Sequence, residues 1–184
     1  MLPAIITALA FASMLRAPER SGAWTAPSVR CEALAAGLRI APVLRPVVAG
    51  MCQRAPTFRR QVVRLARQPG LEVTVATGAF ESRGRARART AMTRVDGQLR
   101  SARVEVPGGD PALLAELVAH EFEHILEQLD DVDLASWAGR SGVYRVGGSD
   151  QEGPFETERA RQVGRLVAGE YLSAGAEMTA FKVR

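Results

Sequence analysis

The chain has 184 residues, 47% hydrophobic and 24% charged, the composition of one ordinary globular domain large enough to bury a core without metals or disulfides. It excludes the disordered and collagen-like classes. The net charge of +4 conceals an imbalance, because residues 1–109 carry 17 Arg against 6 acidic residues while residues 110–184 carry 7 basic residues against 14 acidic.

The first feature along the chain is an apolar run, Leu2 to Leu15. It is too short to span a bilayer, which takes about 20 residues. It reads as the hydrophobic region of a signal peptide, with Ala8-Leu9-Ala10 as a small-x-small cleavage site, although no basic segment precedes it. An exported protein, periplasmic or extracellular, is the expectation; a plain N-terminal helix on a cytoplasmic protein is the alternative. Residues Ala17 to Pro27 are rich in Pro, Ser, Gly and Ala and read as a linker. The domain organisation is therefore a leader and linker over 1–27 and one domain over 28–184.

Within that domain, 28–70 reads as helical pieces interrupted by Pro42 and Pro46. Thr57 is the expected N-cap of a helix Phe58–Arg67, closed by Pro69-Gly70. Cys31 and Cys52 are too few for a zinc ribbon or a disulfide scaffold. They are either one disulfide or two buried thiols, and the sequence leaves both open.

Residues 71–106 read as a small antiparallel sheet. Leu71 to Val75 alternates as a strand does. Arg83, Arg85, Arg87 and Arg89 recur every second residue, which puts four guanidiniums on one strand face. Asp96-Gly97 separates the extended runs Arg89–Val95 and Gln98–Val106, a two-residue hairpin signal, since both turn residues must reach positive φ.

Residues 107–184 read as helix, loop, helix. Asp110-Pro111 supplies an N-cap acceptor and a proline for the first helical position. Apolar residues then recur at helical spacing from Leu113 to Leu129. A loop follows over 130–153, and a last helix is expected from about Pro154 to Tyr171. The class is α+β.

The chain contains two histidines, His120 and His124, and both lie in His120-Glu121-Phe122-Glu123-His124. Residues four apart share one helix face, so both imidazoles reach one ion, here Zn2+. Glu121 lies about 100° further round the helix, placed to take a proton from a zinc-activated water and pass it to a leaving amine. On a helical wheel Glu116, Glu123 and Glu127 share a narrow arc that reads as a solvated face. Glu121 falls on the apolar side, where a charge needs a partner. That partner is either the activated water or an Arg from the basic half.

The segment from Leu117 to Leu129 resembles the active-site helix of zincin metallopeptidases, and the sheet and hairpin before it are similar in arrangement. The resemblance implies a zincin-like fold, a peptide or protein substrate, and an edge strand that holds the substrate backbone along a cleft. In metzincins the motif continues to Gly and a third His; here those places hold Glu127 and Asp130, so that subgroup does not fit.

A catalytic zinc site takes three protein ligands, and with no third His a carboxylate must complete it. The gluzincin pattern puts a Glu on a following helix. On the wheel of the last helix Glu156 shares an apolar stripe with Ala160, Val163, Val167 and Tyr171, whereas Glu158 sits beside Arg161, Gln162 and Arg165. Glu156 is the expected ligand, with Asp130 and Glu158 as alternatives. Tyr144 and Arg159 are candidate transition-state stabilisers, and Asp130, Asp131 and Asp133 are candidates to orient a His ring.

The sequence thus points to a zinc metallopeptidase. A noncatalytic zinc-binding module is one alternative. A nucleic-acid binder working through Arg83 to Arg89 is another, disfavoured because no aromatics interleave the stripe and because the Arg richness is a bias of the whole chain.

Overall fold

A computed structural model describes residue 31 and residues 37–79, 88–132, 143–145 and 155–181. The elements run β1 (Leu38–Ile40), a 3-10 turn (Pro42–Leu44), α1 (Arg45–Arg54), α2 (Pro56–Ala66), β2 (Glu72–Thr77), β3 (Arg89–Val95), β4 (Gln98–Val106), α3 (Pro111–Leu129), β5 (Val143–Arg145), β6 (Phe155–Thr157) and α4 (Glu158–Phe181). The class is α+β.

Prolines open the first two helices. Pro46 and Pro56 stand in the first turns of α1 and α2, where a missing N–H costs no hydrogen bond. Pro46 therefore starts a helix, where an interruption was expected. Thr57 is not the N-cap of α2; Ala55 is, with no side-chain cap of its own. The cap comes from a distant element. Glu170 on α4 accepts the Thr57 backbone N–H at 3.0 Å and its hydroxyl at 2.7 Å.

The main sheet has the order β1-β2-β4-β3. β1 pairs parallel with β2, β2 pairs parallel with β4, and only β3 and β4 are antiparallel. The expected antiparallel sheet is thus mixed. Alternation marks a segment as a strand but carries no direction; the helical crossover α1–α2 returns the chain parallel to β1. The hairpin forms as expected, with Val95 opposite Gln98 and positive φ at Asp96 (51°) and Gly97 (76°).

One face of the sheet is apolar. Val73, Val75, Ala102, Val104 and Val106 are buried in one core with Met51, Phe58, Val62, Phe122, Ile125 and Leu126. Phe58 stacks on Phe122 with ring centroids 5.5 Å apart, joining α2 to α3. Each of the larger of these side chains contributes about 1.5–3 kcal/mol by leaving water. Cys31 and Cys52 form a disulfide.

The largest departure lies near the C-terminus. The expected helix from Pro154 to Tyr171 begins only at Glu158 and continues to Phe181. Phe155–Thr157 is instead a strand, antiparallel to β5 within the expected loop, with Tyr144 opposite Glu156. A three-residue ribbon is too short to show a period, and only the pairing creates it.

Residues 1–27, Asp133, Arg83, Arg85 and Arg87 lie outside the described residues, while Arg89 opens β3 and pairs with Glu105. Among the described residues no helix is long and apolar enough to cross a membrane.

Candidate metal centre

The centre is built on α3. Asp110 caps it, accepting from the N–H groups of Ala112 at 2.9 Å and Leu113 at 3.0 Å, and Pro111 takes the first helical position. The apolar face from Leu114 to Leu126 is pressed into the core. That fixes the helix rotation and aims His120 and His124 together. On the neighbouring helix Gly164 permits the close approach of α4. A Cβ there would lie 2.9 Å from the Glu116 carbonyl oxygen and 3.2 Å from His120 Cβ.

His120 Nε2 and His124 Nε2 face each other at 3.2 Å. Glu156 Oε1 lies 3.3 Å from the first and 3.7 Å from the second. Bonds of 2.0–2.1 Å in a tetrahedral shell set donor atoms about 3.3–3.4 Å apart, so the three edges fit a small divalent ion. The donor chemistry fits as well: two imidazole nitrogens and one carboxylate oxygen can hold a metal ion.

Glu156 arrives by a route other than the one expected. It lies on the strand β6, where a helical wheel does not describe its surroundings. The ribbon with β5 positions its backbone, and its Oε1 also accepts the Thr157 N–H at 2.9 Å. Burial favours the neutral acid, but the hydrogen bond from His120 and the charges of both histidines prevail and hold its pKa below the ordinary 4.5. The carboxylate stays an anion.

Glu127 orients His124. His124 Nδ1 donates to Glu127 Oε2 at 2.9 Å, which leaves Nε2 with its lone pair toward the site. Glu127 Oε1 accepts from the Thr157 hydroxyl at 2.7 Å. Burial pushes the His124 pKa down, yet the bond to Glu127 and the charges of Glu121, Glu127 and Glu156 outweigh it and raise the pKa above 6.5.

Two of the three acids on the arc expected to be solvated are buried. Glu123 is 5% exposed and Glu127 2%. Gln61 on α2 donates to Glu123 at 2.8 Å and to the Ala119 carbonyl at 2.9 Å. Arg159 donates to the other Glu123 oxygen at 2.7 Å. A wheel shows which residues share a face, not which other elements cover it.

Glu121 is 5% exposed, with Oε1 4.0 Å from His120 Nε2. It has a partner the sequence did not suggest. Thr90 on β3 donates to Oε2 at 2.6 Å. Burial raises the Glu121 pKa; the Thr90 bond and the two histidines pull against it without cancelling it.

Of the remaining candidates, Asp130, Glu158 and Arg159 are held in pairings of their own. Asp130 caps the end of α3 and pairs with Arg64 and Arg159. Glu158 pairs with Arg161 and accepts from Gln162 at 3.1 Å, the surface pairing its sequence neighbours imply. The Arg159 guanidinium is engaged by Glu123 and Asp130. Tyr144 stands opposite Glu156 in the β5–β6 register. Sequence reasoning missed Glu127, Thr157 and Thr90 as members of the site. Only Glu127 left a local signal, a carboxylate three residues beyond His124 on a helix. A cavity of about 710 Å³ between β1, β2 and α1, lined by Leu38, Ile40, Val48 and Val75, contains none of these residues.

Comparison of the chain with protein-family models, curated proteins and solved structures found no match.

Proposed function

We propose that the chain is a zinc-dependent hydrolase of zincin type, acting on a peptide or protein. The observation that carries this reading is the convergence of His120 Nε2, His124 Nε2 and Glu156 Oε1 at 3.2–3.7 Å, with Glu121 beside them. Two His and one Glu is a catalytic ligand set, three protein donors with a position left for water or substrate. The alternative of a structural zinc module needs a fourth protein ligand; among the described residues the group has three.

A Zn2+ held there would polarise a carbonyl and make water acidic enough to attack near neutral pH. Glu121 supplies the proton traffic. Its Oε2 is fastened by Thr90, so Oε1 is the oxygen left to accept a proton and return it to a leaving amine. Its raised pKa suits that task, since a carboxylate at ordinary acidity is a weak base at neutral pH. Glu127 holds His124 in the tautomer that presents Nε2. β3 is the last strand of its sheet, and through Thr90 it touches Glu121, so an extended substrate paired along β3 would pass the base. The Cys31–Cys52 disulfide accords with an exported protein.

The test is the metal content per chain of the wild type, His120→Ala and Glu156→Ala, with Glu121→Gln assayed for hydrolysis. Wild type should take up one zinc, the ligand variants should lose it, and Glu121→Gln should keep it without turnover. A wild type that takes up no zinc refutes the reading. Full activity of Glu121→Gln refutes the mechanism.

A further inference from the structure

The buried hydroxyl of Thr157 does two things at once. It donates to Glu127 Oε1 at 2.7 Å, and it accepts the Ala160 backbone N–H at 3.0 Å. The second bond makes Thr157 the cap of α4, since it stands one residue before Glu158 and bonds the N–H three residues on. The first bond reaches the metal centre, because the other oxygen of Glu127 takes the proton of His124 Nδ1. Thr157 also follows Glu156 directly in sequence. The donors His124 and Glu156 are therefore tied together by an unbroken chain, His124–Glu127–Thr157–Glu156. Its middle members are 2% and 3% exposed, so water does not stand in for a lost link.

We propose that Thr157 is a positioning residue of the metal centre, whose hydroxyl couples occupancy of the site by a zinc-like divalent ion to the order of the first turn of α4. The inference rests on the metal-binding part of the function proposed above and not on hydrolysis. A hydroxyl has one hydrogen. Here that hydrogen is given to Glu127, while a lone pair serves the helix, so the two bonds do not compete. An ion that draws His124 Nε2 and Glu156 Oε1 onto itself fixes both ends of the chain. Fixed ends hold the hydroxyl where Ala160 needs it. Conversely, a hydroxyl already fixed by α4 presents Glu127, and through it His124, in the binding geometry before the ion arrives.

Two substitutions separate this from a cap alone. Thr157→Val keeps the shape and removes both bonds, whereas Thr157→Ser keeps both. Zinc affinity, measured by competition with a chelating dye, should fall about 10–100-fold in Thr157→Val and stay near wild type in Thr157→Ser. The visible absorption of bound Co2+ should change in the Val variant and be restored in the Ser variant. In the wild type, zinc should slow hydrogen exchange at the Ala160 amide, a measurement that stands even if Thr157→Val does not fold. Unchanged zinc affinity and cobalt spectrum in a folded Thr157→Val, or Ala160 exchange indifferent to zinc, overturns the proposal. A wild type that binds no zinc overturns it together with the metal centre. A zinc-loaded chain that hydrolyses nothing refutes only the catalytic reading.

Discussion

The Thr90 hydroxyl donates to Glu121 Oε2 across 2.6 Å, from the edge strand of the sheet to the buried carboxylate beside the histidine pair. Strand alternation is the cause. Thr90 stands opposite Val104, which is fully buried, so its side chain points to the helix side of the sheet. Thr90→Val removes the donor and keeps the volume. Burial already raises the Glu121 pKa, and the Thr90 bond opposes it, so the variant should raise the pKa further. The acid limb of kcat/KM should then move to higher pH while zinc content stays at wild-type level. An unmoved acid limb contradicts this role for Thr90.

Glu121 should also weaken the metal-free fold. Its folded pKa is raised above 4.5, so the protonated form is the one the fold prefers. That contribution is fully present below about pH 4.5 and is lost as pH rises through the folded pKa. Metal-free Glu121→Gln should therefore melt above the wild type at pH 7, with the gap closing toward pH 4. Each kcal/mol of relief corresponds to about 2–4 °C in a chain of this size. Equal melting temperatures across that range would contradict the argument.

Arg159 should prove structural. Its guanidinium grips the buried Glu123 at 2.6 Å, and Gln61 holds the other oxygen. Arg159→Met leaves Glu123 with one partner. Because Arg159 is nearly half exposed and Gln61 remains, the cost should be about 1–3 kcal/mol in denaturant unfolding. Zinc content and kcat should hold. Wild-type stability with lost turnover would instead make Arg159 a transition-state stabiliser.

Zinc affinity should fall on the acid side at a pH set by histidine and not by carboxylate. The metal needs neutral His124, whose pKa lies above 6.5 because Glu127, Glu121 and Glu156 outweigh the opposing effect of burial. Protons therefore compete with zinc from a higher pH than they would at an ordinary histidine. Glu156, held below 4.5, remains ionised throughout. Competition titrations between about pH 5.5 and pH 8 should show this, with Glu127→Gln moving the transition to lower pH. A transition confined to pH 4–5 would assign it to a carboxylate.

Gly164→Ala should disturb the centre without touching a ligand. The added Cβ meets the Glu116 carbonyl oxygen at 2.9 Å, and backbone yields poorly. The helices α3 and α4 must separate beside His120. Thermal unfolding should show a loss of about 1–3 kcal/mol, and zinc affinity should drop with it. A neutral substitution would mean that the helix pair is looser than its spacing indicates.

Local signals carried much of this molecule. The span of α3 follows from its cap, its proline and its apolar spacing, and the hairpin from Asp96-Gly97, because each depends on a few adjacent residues. The pair His120 and His124, with Glu121 displaced beside them, follows from helical geometry alone. A charge on an apolar stripe singles out Glu156, and it does join the two histidines, although on a strand.

What tertiary structure decided is everything that depends on elements meeting. β1 is three residues long and owes its existence to pairing with β2, 35 residues away by the register Leu38–Val73. Direction within the sheet came from the crossover. The acids Glu123 and Glu127 are buried because Gln61, Arg159 and Thr157 supply hydrogen bonds there, in place of the water that the helical pattern implied. The sequence determined which side chains could hold a metal ion and the spacing of the two histidines along α3. Their protonation and orientation depend on the three-dimensional structure, because both follow from desolvation and from hydrogen-bonding groups brought by Thr90, Thr157 and Glu156, none of which is a neighbour of the histidines along the chain.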